Sequence, residues 1–90
     1  MLRFMNVGYG NSVNGDKVIS IVGPEAAPIK RMVQTAKDEG RAVDATCGRK
    51  TRAVLVMDSG HVVLSALQPE TIWNRYQGKD MINSKGEEDE

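Results

Sequence analysis

Ninety residues leave room for one domain, and a single cysteine, Cys47, excludes an intrachain disulfide. One cysteine and one histidine, His61, fall short of a tetrahedral metal site, so self-association is the remaining way for so small a core to gain stability. The formal charge is zero but unevenly spread: residues 80–90 hold Asp80, Glu87, Glu88, Asp89 and Glu90 against Lys85, which leaves eleven basic and seven acidic side chains in residues 1–79, a net of +4. A mildly basic body suits either a polyanionic partner or an ordinary solvated surface. No run approaches the ~20 apolar residues of a membrane span. Met1–Asn6 has neither the long apolar run nor the cleavage site of a signal peptide, and a lone thiol suits a reducing compartment. The expected location is the cytoplasm, with no membrane partner.

Taken in chain order, residues 2–7 read as a short strand and Gly8-Tyr9-Gly10-Asn11 as a turn or bulge. Asn14-Gly15-Asp16 has hairpin-turn chemistry, and Val18–Val22 is apolar on both faces, as a buried strand would be. After Gly23-Pro24 a helix begins between Pro24 and Pro28. It carries Ile29, Met32, Val33 and Ala36 on one face and stops at Gly40. A strand at 41–46, a turn at Cys47–Lys50 and a strand at 51–57 follow. Asp58-Ser59-Gly60 returns the chain into a strand at 61–65, and a last helix runs from about Gln68 to Tyr76, closed by Gly78. The expected fold is α+β: a single domain over residues 1–78, with about five mostly antiparallel strands and two helices. Residues 79–90 are expected to be a disordered acidic tail. Two short helices can cover one face of such a sheet, so the other face or its edges call for a second copy of the chain.

The candidate chemistry lies in a basic turn. Arg49, Lys50 and Arg52 fall within four residues beside Gly48. Guanidinium groups meet phosphate oxygens bidentately and lysine adds a point charge. A solvated hairpin tip explains the same residues about as well. Arg52 alternates with Val54 and Val56, so it points toward a core face and calls for a ligand, a subunit boundary or a buried partner. Lys17 opens a strand after a tight turn, from where it could reach the same edge. Lys30 and Arg31, near a helix start, are more simply surface cations. Gly8-Tyr9-Gly10 fails the dinucleotide pattern because Val13 stands where a third glycine is needed. His61 reads as a hairpin-end histidine and Cys47 as a turn residue. No paired carboxylates, metal set or nucleophilic triad emerges, so no enzyme, cofactor or metal is expected.

Four segments carry a resemblance: Ile19–Val22, Ala27–Met32, Asp44–Val54 and Leu64–Thr71, together with the Asn6–Asn11 opening. Over residues 1 to about 76 the chain resembles the RemA-like extracellular-matrix regulatory proteins of bacteria. The resemblance implies a regulator of biofilm-matrix genes that assembles into a ring of about eight subunits and binds double-stranded DNA on its basic surface. It places the DNA contacts on Lys17, Arg49, Lys50 and Arg52, and the helix-opening proline of the family on Pro28. Lys17 and Lys50 stand where the family has arginine, so charge is kept while bidentate geometry is lost. Cys47 stands where the family has tyrosine, and the acidic tail lies outside the match. Two other classes remain open on the residues alone: an oligomeric scaffold for an acidic protein, and a binder of a small phosphorylated ligand at the glycine turn.

Overall fold

The computed structural model describes residues 4–78. Both the expected acidic tail at 79–90 and the start of the first strand lie outside these. Among the described residues the order is β1 (Phe4–Gly8), β2 (Asn11–Asn14), a 3₁₀ turn (Gly15–Lys17), β3 (Val18–Val22), α1 (Ala27–Asp38), β4 (Ala42–Asp44), β5 (Ala53–Met57), β6 (Val62–Ser65) and α2 (Pro69–Tyr76). The α+β expectation holds, but the single five-strand sheet is corrected. β1 and β2 form a separate hairpin, and a four-stranded sheet has the order β3-β5-β6-β4. β4 runs parallel to β6, and the other pairs are antiparallel. Asn11 and Asn14, expected at the end of one turn and the start of the next, belong with Ser12 and Val13 to a strand. They pair back on β1 across a bulge, with Met5 opposite Val13. Polar Asn11, Ser12 and Asn14 give no apolar alternation to announce a strand.

The central strands divide the core by their period of two. Val54, Val62 and Leu64 face α1, where Ala36 is buried and Ile29, Met32 and Val33 pack beside it. Ala53, Leu55 and Val63 face the other way, onto Met5 and Val7 of β1 and Ile72 of α2. The second face is therefore covered by the β1–β2 hairpin together with α2, which corrects the expectation that the chain has nothing left to cover it. What stays open is the edge. β3 is half-exposed, with Ile19 at 64 % and, nearby on α2, Trp73 at 49 %. These two, with Val18, Ile21, Pro69 and Tyr76, line a groove of about 540 Å³.

α1 starts as its sequence suggests, with Pro28 in the first turn where no N–H is required. It ends in two interlocked bonds. Gly40, at φ +75°, donates its N–H to the Lys37 carbonyl, and Arg41 donates to the Ala36 carbonyl at 2.7 Å. The stop at Gly40 turns the chain straight into β4.

Candidate functional site

The segment between β4 and β5 is not a hairpin. Those two strands lie on opposite sides of β6, so residues 45–52 cross over the end of β6 to skip one strand. The crossing is pinned at both ends. Ala45 donates its N–H to the Leu64 carbonyl at 2.8 Å, and Arg52 donates to the Ser65 carbonyl at 2.8 Å. Ala45 and Thr46 are buried beneath the loop. Asp44 caps its entry: its Oδ1 accepts from the Thr46 hydroxyl at 2.6 Å and from the Thr46 N–H at 2.9 Å. Those two bonds, the hydroxyl first, hold the Asp44 carboxyl below its ordinary value, with a smaller contribution from nearby Lys37 and a small opposing one from burial. The chain then reverses through Cys47 (φ +56°) and Gly48 (φ +81°), and the Arg49 N–H closes the turn on the Thr46 carbonyl at 3.0 Å. Cys47 thus occupies a left-handed position that disfavours a side chain.

Arg49, Lys50 and Arg52 are all exposed on this loop. Among the described residues the ion pairs are Lys17–Asp58 and Arg41–Glu39, so no acid neutralises the three loop cations. β5 begins at Ala53, not at Thr51. Arg52 therefore precedes the strand and reaches solvent, and the conflict expected from its alternation with Val54 does not arise.

Arg49 has a different neighbour. Its guanidinium lies 4.9 Å from the centroid of the Tyr9 ring, in the turn between β1 and β2. Ser65 explains why two segments forty residues apart in sequence meet here. Its buried hydroxyl donates to the Val7 carbonyl at 2.8 Å and accepts from the Leu67 N–H at 3.0 Å. The same residue that anchors the exit of the crossover loop thus anchors β1 just before its turn. Neither Ser65 nor Tyr9 stands out as a site residue in the sequence. A serine ending an apolar strand is the only local trace of the first, and nothing local pairs Tyr9 with Arg49.

Lys17 is not part of this cluster within one chain. Val18 pairs with Met57 and Val22 with Val54, so Lys17 lies at the far end of β5 from Arg52. The intervening strand is roughly 13 Å long at ~3.3 Å per residue. There Lys17 accepts the Asp58 N–H on its carbonyl at 2.8 Å, and its ammonium lies 3.8 Å from the Asp58 carboxylate. Lys30 and Arg31 are exposed on α1. No group of three or more His, Cys, Asp or Glu side chains among the described residues could hold a metal, and none of their helices is long and apolar enough to cross a membrane.

Comparison with known proteins gives a consistent result. Residues 4–76 match the model of the RemA-like family, described as extracellular matrix regulatory protein A-like. A protein of Lachnoclostridium phytofermentans is 60 % identical over 84 residues, which cover 93 % of this chain and 92 % of that one. One from Geobacillus kaustophilus is 54 % identical over 86 residues, 96 % of this chain and 99 % of that one. One from Bacillus cereus strain AH187 is 56 % identical over 85 residues, 94 % and 98 % of the two. The names of all three class them as regulatory proteins.

Proposed function

The chain belongs to the RemA-like family, and on that premise we propose that it is a non-catalytic, DNA-binding transcriptional regulator of extracellular-matrix genes that acts as a homo-oligomer. The observation that carries this is the crossover loop. Three cations stand exposed, with no acid among the described residues paired to them, on a backbone pinned to the end of a buried strand. Such a loop offers charge and donors at fixed positions, which suits phosphate oxygens. Cations on a loop, rather than base-reading side chains on a helix, favour backbone contact and sensitivity to DNA shape over direct base readout. Arg49, Lys50 and Arg52 form the main contact. Lys17 adds a separate one at the other end of β5, roughly 13 Å away at ~3.3 Å per residue.

The few contacts of one copy bind weakly, and linked copies raise avidity by ~10²–10⁴. The open β3 edge and the apolar groove beside it, with Ile19 and Trp73 exposed, support self-association. A ring of about eight copies, in the cytoplasm, completes the reading. It is tested by retardation of double-stranded DNA across a salt series, with assembly mass measured by light scattering. Wild-type affinity should fall with a log–log slope of about −0.9 per phosphate contact. The combined change Arg49→Ala, Lys50→Ala, Arg52→Ala should abolish binding at unchanged mass. Unaltered binding by that variant removes the site. A wild-type slope near zero removes the DNA reading, and a monomer at micromolar concentration removes the oligomer.

A further inference from the structure

Tyr9 occupies a costly position that the core does not explain. It is a non-glycine residue at φ +54°, flanked by Gly8 at φ +103° and Gly10 at φ +81°, with its ring only half-buried. The turn is nevertheless fastened from both sides. The Asn6 carboxamide oxygen accepts the Gly8 N–H at 2.6 Å, and the Asn11 amide donates to the carbonyls of Gly8 at 3.1 Å and Tyr9 at 3.3 Å. Gly8 itself sits so close to Leu67 that an added Cβ would lie 3.3 Å from its Cγ. All of this holds one side chain in place, and that side chain carries the Arg49 guanidinium 4.9 Å from its centroid.

An aromatic partner and an acidic partner do different things to an arginine. A carboxylate takes up the in-plane N–H donors and cancels the charge. A ring takes only the face, leaving the charge and the five edge donors for another acceptor. It also restricts a long side chain that would otherwise be immobilised on binding, and so lowers the entropic cost of contact.

We propose that Tyr9 is a positioning residue that pre-orients Arg49 for an incoming phosphate oxygen, which makes the Gly8–Tyr9–Gly10 turn a second wall of the anion site on the crossover loop. The inference rests on the DNA reading above and extends it to a segment forty residues away. No substitution at Tyr9 removes a charge, so its signature differs from that of a contact residue.

The test measures dissociation of a labelled double-stranded DNA fragment from the full chain. The variants are Tyr9→Leu, Tyr9→Phe, Arg49→Ala and the Tyr9→Leu/Arg49→Ala pair, each across a salt series with assembly mass and melting temperature alongside. Tyr9→Leu should weaken binding by roughly two- to fivefold per site, the range of an exposed cation–π contact, with the salt slope unchanged. Tyr9→Phe should bind as wild type does. Arg49→Ala should reduce the slope by about 0.9 per lost contact, and adding Tyr9→Leu to it should cost nothing more. The proposal is overturned if Tyr9→Leu has no effect, if it weakens binding equally with and without Arg49, or if Tyr9→Phe fails as Leu does. Wild-type chain that shows no salt-dependent retardation overturns the DNA reading itself, which is a separable result.

Discussion

The two ends of β5 carry cations of similar kind in opposite settings. At the Ala53 end, Arg49, Lys50 and Arg52 stand on a loop pinned by two backbone bonds, with no acid among the described residues paired to them and an aromatic ring against one of them. At the Met57 end, Lys17 faces Asp58 at 3.8 Å, both side chains largely in water. The first end concentrates positive potential on a rigid support, whereas the second spends its charge locally. Counting basic residues would rank both ends as candidate anion sites. Pairing and backbone support separate them.

That contrast breaks most directly in the comparison of the triple loop variant with Lys17→Ala. Charged hydrogen bonds contribute about 1.5–3 kcal/mol each, so loss of the loop cations should cost more than ~100-fold in DNA affinity. Lys17→Ala should cost severalfold at most. Equal losses in a retardation assay would show that the two ends act alike.

The support of the loop is tested by Ser65→Ala. It orphans the Val7 carbonyl and the Leu67 N–H in a buried site, and each unsatisfied group costs about 1–3 kcal/mol. Denaturant unfolding should show a loss of that order. In DNA binding Ser65→Ala should mimic Tyr9→Leu, because the β1 turn and the crossover loop lose their shared anchor.

A smaller effect sharpens the Met57 end. Asp58→Asn removes the acid beside Lys17 and should raise DNA affinity slightly, with stability changed by less than about 1 kcal/mol, as for other exposed pairs. A fall in affinity would mean that Asp58 organises the contact instead of masking it.

The smallest effect is an acid dependence. The folded-state pKa of Asp44 is depressed by the Thr46 hydroxyl and N–H. Its contribution to stability is therefore fully present above the unfolded value, near 3.8, and is lost as pH falls through the lower folded value. Melting temperature followed downward from pH 5 should drop less steeply for Asp44→Asn than for wild type. Parallel curves would remove the cap from the account of the loop.

Much of this was readable from the residues. Helix α1 announced itself by its apolar spacing, by Pro28 and by Gly40, because helical periodicity, first-turn prolines and left-handed stops are local properties of the chain. The strands, read at 51–57 and 61–65 and found at 53–57 and 62–65, and the three loop cations were equally visible. Strand partners were not. Nothing within residues 42–57 says that β4 joins β6 in parallel, so the basic segment looked like a hairpin tip and is a crossover. The polar β2 was missed because its pairing rests on backbone bonds to β1, which any side chain permits.

Composition and local pattern by themselves determined an α+β chain, its cationic loop and its family resemblance. Only the tertiary structure decided which cations stand together, that Lys17 lies apart from Arg52, and that Tyr9 meets Arg49. Charge and periodicity are written residue by residue, whereas neighbourhood depends on which strands pair and on a buried serine that ties two distant turns to one strand end.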